Sequence, residues 1–279
     1  MNLRSKFDDR IGKEHKEKFS LMDIDLNNFD IEFRHVSFRY PGSTSYVLKD
    51  INLTIHSNEK LAISGYNGAG KTTFVLLLTR MYDPTEGGIF LNGVDIRDIK
   101  YKEYQKLFSA VNQDFSLLAF SLLENITFAD RVSDDERKKI GQLIKENGLG
   151  DRVKTLYKGL DTPITKRLSA AGVDLSGGES QKVAIVRALY KDAPILVLDE
   201  PTAALDPQAE FEMFHNFAKM AQQKTTIMIS HRIYSTRFCD KIAVFDKGKM
   251  VEYGTFDELI SQKGIYYDFF EKQAEYFRE

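Results

Sequence analysis

The sequence predicts an α/β fold with a mainly parallel sheet, an antiparallel β subdomain at its start and an inserted α-helical subdomain. Three observations lead there. Leu61-Ala62-Ile63 is a short apolar strand that enters a glycine-rich turn and then a helical segment, Lys71 to Tyr82, with Phe74, Leu77 and Leu78 at i, i+3 and i+4. Ahead of it lie apolar residues in period two, first Ile31, Phe33, Val36, Phe38 and Tyr40, then Ile51, Leu53 and Ile55. After a helical middle, strands and helices alternate again.

Taken in order, residues 1–30 are polar and charge-mixed, from Arg4 and Lys6 to Glu17 and Lys18, and read as a solvated linker with a domain boundary near residue 30. The domain at 31–279 opens with the period-two strands. Past the glycine turn and its helix, Ile89 to Leu91, Asn92-Gly93 and Val94 read as a hairpin, because Asn-Gly supplies both positive φ angles of a type I′ turn. The segment of about 118–190 reads as the helical subdomain: Ser133-Asp134-Asp135-Glu136 has capping-box spacing ahead of Ile140, Leu143 and Ile144, and Gly148 stops the helix. Strand Ile195–Leu198 follows, then a helix from Pro207 with Phe211, Phe214 and Phe217 on one face, strands Thr226–Ile229 and Ile242–Phe245, and terminal helices.

Composition excludes several classes. With 42% hydrophobic and 29% charged residues, the chain is neither disordered nor fibrous, and the single Cys239 rules out a disulfide scaffold and fits a reducing, cytosolic setting. Lys and Arg number 39 against 41 Asp and Glu, a net charge of −2, so no overall basic field exists for nucleic acid or acidic lipid. No window approaches the roughly 18 apolar residues of a membrane-spanning helix.

Gly65-Tyr66-Asn67-Gly68-Ala69-Gly70-Lys71-Thr72 matches G-x-x-x-x-G-K-[ST] between a predicted strand and a predicted helix. Glycines at this spacing let backbone N–H groups converge on phosphate oxygens at a helix N-terminus, whose partial positive charge favours an anion. Lys71 would reach the β- and γ-phosphates and Thr72 a Mg²⁺ ion, with Thr73 beside it. Ile195-Leu196-Val197-Leu198-Asp199-Glu200 is an unbroken apolar run ending in two carboxylates, as expected of a strand buried on both faces that delivers acids at its C-terminal edge. Alone, such a pair is more often an exit turn than a site. As the second half of a nucleotide site, Asp199 would hold Mg²⁺ through water and Glu200 would polarise the attacking water.

Leu175-Ser176-Gly177-Gly178-Glu179-Ser180-Gln181 resembles the signature of ATP-binding cassette ATPases, and the other motifs of that family fall in the family's order. Tyr40 in Phe38-Arg39-Tyr40-Pro41 looks like the aromatic that stacks on adenine. Gln113 resembles the Q-loop glutamine, Ala204-Leu205-Asp206 the D-loop, and His231 the switch histidine. The resemblance spans about 31–279 and implies a P-loop NTPase, RecA-like core that binds ATP and Mg²⁺. Ser176 and the N–H groups of Gly177 and Gly178 open a predicted helix and can meet an anion without a charged side chain.

In the family, that helix end faces ATP held by a second subunit. The resemblance therefore implies a head-to-tail dimer, which as a homodimer needs no more than this chain. Each γ-phosphate would lie among Lys71, Mg²⁺ held by Thr72, Gln113 and Asp199, and His231, with Glu200 orienting water, while Ser176, Gly177, Gly178, Glu179 and Asp206 come from the partner. The linker, the segment Val36 to Pro41 and Ser121-Leu122-Leu123-Glu124-Asn125-Ile126 look like the exporter branch. That branch implies a transmembrane domain, fused or separate, and a place at the cytoplasmic face of the membrane. Departures are Glu179 where Gln is usual, Ala203 where Ser is usual, and a Thr162–Arg167 stretch without the acidic pattern of many exporters. A soluble ATP-driven switch of the same superfamily is the alternative, but translation members carry tandem cassettes and DNA-maintenance members long coiled coils. A P-loop phosphotransferase would need an acceptor pocket and no signature.

Overall fold

The computed structural model describes residues 18–26, 28–112, 115–166, 172–201, 224–230 and 233–276. The strands among them are β1 (Asp30–Phe38), β2 (Leu48–His56), β3 (Lys60–Gly65), β4 (Glu86–Leu91), β5 (Val94–Asp95), β6 (Phe108–Val111), β7 (Ile195–Asp199), β8 (Thr225–Ile229), β9 (Lys241–Asp246) and β10 (Lys249–Gly254). The principal helices are α1 (Lys71–Leu78), α2 (Leu122–Thr127), α3 (Asp134–Glu146), α4 (Gly150–Thr155), α5 (Gly177–Lys191), α6 (Phe256–Gln262) and α7 (Ile265–Tyr276). They fall into two compact units, one formed by Met1–Phe108 with Gln223–Glu279 and the other by Ser109–Gln222.

The first unit contains the antiparallel sheet that the period-two pattern predicts, in the order β2-β1-β4-β5. Register places Phe33 opposite Leu53 and Ile89, and Ile31 opposite Ile55 and Leu91, so one apolar face closes over a core while Glu32 and Arg34 face outward and pair at 2.8 Å. Asn92 and Gly93 take φ of 49° and 80° between β4 and β5, the expected hairpin turn. In the same unit β3 lies between β8 and β9, parallel to both, and β10 pairs antiparallel with β9. Leu61, Ala62 and Ile63 are fully buried between such neighbours, which explains their unbroken apolar run.

Two local outcomes differ from the periodicity or extend it. Helix α1 ends at Leu78 rather than Tyr82, because Arg80 adopts φ of 51° and turns its guanidinium inward. That group donates to the Ile99 carbonyl at 2.6 Å and the Arg97 carbonyl at 3.0 Å, and its side chain is 2% exposed. Residues 18–26 pack within the first unit rather than standing free of it: Lys18 and Phe19 donate to the Asp98 carbonyl, and Glu103 accepts from the Ser20 hydroxyl at 2.6 Å and the Leu21 N–H at 2.8 Å.

In the second unit β6 lies beside β7, and the helices enclose a core of Leu122, Leu123, Ile126, Ile140, Ile144 and Val183. Capping boxes open α2, α3 and α5: Ser121 with Glu124, Ser133 with Glu136, and Ser176 with Glu179. Thr255 with Glu258 does the same for α6 in the first unit. The predicted helix from Pro207 with Phe211, Phe214 and Phe217 lies outside the described residues. Among the described residues no helix is long and apolar enough to cross a membrane.

Two predictions follow from this packing. Arg80→Met strands the Ile99 and Arg97 carbonyls and should lower the unfolding free energy by about 3 kcal/mol in urea denaturation. Hydrogen bonds from their own cap residues hold Glu124, Glu136 and Glu258 below the ordinary carboxylate value of 4.5. Their stabilisation is therefore complete above the unfolded-state pKa and lost as pH falls through the lower folded values. Melting temperature should fall steadily below about pH 4.3, and Glu136→Gln should flatten part of that decline.

Candidate nucleotide-binding elements

The phosphate loop joins the buried end of β3 to α1 in the first unit. Gly65 and Gly70 take φ of 143° and 107°, which other residues adopt only under strain. Space is also closed to a side chain: a Cβ on Gly65 would press into the Phe245 carbonyl oxygen, and one on Gly70 would sit 2.6 Å from Leu48 Cδ2. Lys71 is 7% exposed, and its ammonium lies under the loop, donating to the Gly65 carbonyl at 2.8 Å and the Tyr66 carbonyl at 3.0 Å. Helix α1 has Gly70 at its N-cap and no side-chain cap hydrogen bond, and a helix N-terminus carries partial positive charge that favours an anion.

Around that loop the other predicted residues divide by exposure. Asn67, Gly68 and Thr72 are exposed, Ala69 and Thr73 buried. The Tyr40 hydroxyl lies 2.9 Å from Thr73 Oγ1, and the Tyr40 ring meets Phe38 and Tyr82 edge-on with centroids 5.0 and 5.3 Å away. An open cleft lined by Tyr40, Pro41, Gly42, Tyr82 and Thr85 leaves a place for a flat ring beside these aromatics. Sequence reasoning missed Tyr66, which is exposed and stacks edge-on against Phe269 of α7 at 4.6 Å. Nothing in the spacing of residues 66 and 269 signals that contact.

The second unit holds the acid pair and the signature. Ile195 to Leu198 are buried, and Asp199 and Glu200 are half-buried at the strand's exit, with Glu200 at φ of 49°. At the start of α5, Ser176 Oγ accepts from the Glu179 N–H at 3.2 Å, and Glu179 Oε2 accepts from the Ser176 N–H at 2.8 Å. Gly177 is exposed and Gly178 half-buried. Gln181, which the sequence reading left without a role, is buried and donates through Nε2 to the Pro201 carbonyl, tying α5 to the residue after Glu200. Gln113, Asp206 and His231 lie outside the described residues.

Hydroxyl and carboxylate oxygens are the donors that Mg²⁺ prefers; in the first unit Thr72 carries a hydroxyl near the start of α1, and in the second unit Asp199 carries a carboxylate at the end of β7. The glycine cradle over a buried ammonium suits a polyphosphate.

The description "ABC transporter" fits residues 48–203. The chain belongs to this family. It is 35% identical over 256 residues to an ATP-dependent lipid A-core flippase of Yersinia pestis bv. Antiqua, covering 92% of this chain and 43% of that protein. A flippase of the same name from Alkalilimnicola ehrlichii is 41% identical over 85% of this chain and 39% of its own length. The ABC multidrug transporter mdr1 of Aspergillus fumigatus is 38% identical over 88% of this chain and 18% of its own. Among solved structures, a bacterial Atm1-family ABC exporter with ATP bound matches with a TM-score of 0.82 and 32% identity, over 94% of this chain and 46% of that one. The chain thus spans less than half the length of these relatives. The family resemblance read from the motifs is borne out.

Lys71 carries the charge of the loop. Lys71→Met should weaken binding of a fluorescent ATP analogue by about a hundredfold in equilibrium titration while the fold survives.

Proposed function

We propose that this chain is the ATP-binding and ATP-hydrolysing part of an exporter, coupling closure of an ATP-sandwich dimer to transport across a membrane. The observation that carries the reading is the buried Lys71 ammonium beneath a glycine loop whose helix has no side-chain cap. That arrangement leaves a preformed anion cradle. The names of the relatives, flippase and multidrug transporter, support transport as the process served. In this reading residues 1–30 link to the membrane part, 31–279 form the nucleotide-binding domain, and about 118–190 form its helical subdomain.

Tyr40 stacks on the adenine and is braced by Phe38 and Tyr82. Amides of Gly68, Ala69, Gly70, Lys71, Thr72 and Thr73, with Asn67 at the rim and Gly65 at the turn, surround the β- and γ-phosphates, and Lys71 neutralises their charge. Thr72, Gln113 and Asp199 would hold Mg²⁺, which would supply positive charge to the phosphates. Glu200 accepts a hydrogen bond from water and orients it for in-line attack, and His231 contacts the γ-phosphate. Ser176, Gly177, Gly178 and Glu179, with Asp206, act on the nucleotide of a second copy. The partners are thus that second copy, preferably identical, and a transmembrane domain, at the cytoplasmic face of the membrane. No nucleic-acid partner is expected at a net charge of −2.

Glu200→Gln should lower turnover by about 10² or more while ATP binding stays within about twofold. With Mg-ATP the same variant should elute as a dimer in sizing chromatography and with ADP as a monomer. Unchanged turnover, or a monomer in both nucleotides, would overturn the reading.

A further inference from the structure

Glu179 puts a carboxylate at the start of α5, the helix end that the proposed function turns toward the partner's nucleotide, where a second anion has to bind. Its Oε2 accepts from the Ser176 N–H at 2.8 Å, and its Oε1 lies 3.1 Å from Nε of Arg152 on α4. Both side chains are largely covered, at 28% and 32% exposure, and the Arg152 Nε atom is shut off from solvent. Arg152 Nη1 donates to Thr155 Oγ1 at 3.3 Å, which fixes the direction of the guanidinium. Among the described residues nearby, Asp174 accepts from the Lys166 N–H at 3.2 Å. Lys182, one turn along α5, reaches toward Gly148, and Asp151 and Lys154 pair with each other at 2.8 Å.

We propose that Arg152 is a positioning residue for the signature: it cancels the Glu179 charge and holds that carboxylate in the capping box, so the amides of Gly177 and Gly178 can receive a phosphate. The logic is electrostatic. A carboxylate in the first turn is favourable to the helix alone, but it repels a phosphate at the same N-terminus, and a partly covered pair is poorly screened by solvent. With Arg152 in place the pair is neutral overall, and the helix end keeps its positive potential. Removing Arg152 leaves the repulsion, whereas removing the Glu179 charge as well relieves it. The predicted effect is on nucleotide capture across the dimer, hence on KM for ATP more than on kcat.

This inference rests on the sandwich reading, and the experiment separates the two. Steady-state ATPase of the 279-residue chain is measured for wild type, Arg152→Ala, Arg152→Gln, Arg152→Lys, Glu179→Gln and the double variant Arg152→Ala/Glu179→Gln, over a range of protein concentrations. Arg152→Ala and Arg152→Gln should each raise KM about tenfold, with kcat within about twofold, and Arg152→Lys should recover most of the loss. In the Glu179→Gln background, Arg152→Ala should move KM by less than about twofold. An equal rise in both backgrounds, or no rise in either single variant, overturns the role of Arg152 and leaves the sandwich standing. The Gln variant, which keeps a polar side chain of similar reach, settles the point if the Ala variant does not fold. Full wild-type specific activity under dilutions at which sizing shows only monomer with Mg-ATP overturns the sandwich reading, and this inference with it.

Discussion

Everything at the phosphate loop depends on one buried cation. Lys71 has its ammonium beneath the loop, and a charge taken out of water must find oxygen acceptors nearby or the loop opens. The acceptors are the Gly65 and Tyr66 carbonyls, which reach it only because the backbone at Gly65 turns through φ of 143° straight off β3. That turn in turn requires the Phe245 carbonyl of β9 to approach where a side chain would otherwise stand. Parallel pairing of β3 with β9, register Gly65 to Phe245, is thus part of the phosphate site as much as of the core.

Helix starts among the described residues are satisfied in different ways, and the glycine-loop start of α1 differs from the capped ones. Helices α2, α3 and α6 close their first amides with a Ser or Thr and a Glu from the same turn. Helix α1 does without any side-chain cap at its glycine start. Helix α5 is a hybrid. It carries a full capping box, yet its box holds the Glu-N3 carboxylate against Arg152, and its glycines at N1 and N2 keep backbone approach possible. An open terminus is costly unless a ligand, water or another part of the chain completes it; the short helix α4 also lacks a side-chain cap, and at α7 Glu252 accepts from the Ile265 and Tyr266 N–H groups.

Much of this was legible in the sequence because the signals are local. The glycine spacing before Lys71, the Asn92-Gly93 turn and the Ser133 box each need only a few adjacent residues, and each is where the pattern puts it. The early end of α1 was not legible, since Lys71 to Tyr82 is apolar at helical spacing. What ends it is Arg80 reaching carbonyls of residues 97 and 99. Tyr66 against Phe269, Gln181 against Pro201 and Arg152 against Glu179 were equally invisible, being contacts between residues 20 or more apart whose types are common on any surface. Gln113, Asp206 and His231 remain readings of motif order alone.

Gln181 shows how the second unit joins its two functional ends. Glu200 sits in the left-handed region, which costs a non-glycine residue about 1 kcal/mol or more and persists only where its surroundings determine it. The next residue is Pro201, whose fixed φ limits how the chain can relax, and whose carbonyl accepts from the buried Gln181 amide. Gln181 lies one turn beyond Gly177 and Gly178 on α5, so the helix that presents the signature amides also anchors the backbone that presents the acid. A buried amide bonded to a backbone carbonyl is a stiff link, because breaking it leaves a polar group without water. The backbone that carries the Glu200 carboxylate, the proposed water-positioning group, is therefore held from α5 as well as from β7. An α5 held in place by its Ser176–Glu179 cap and by Arg152 stabilises both ends of that link.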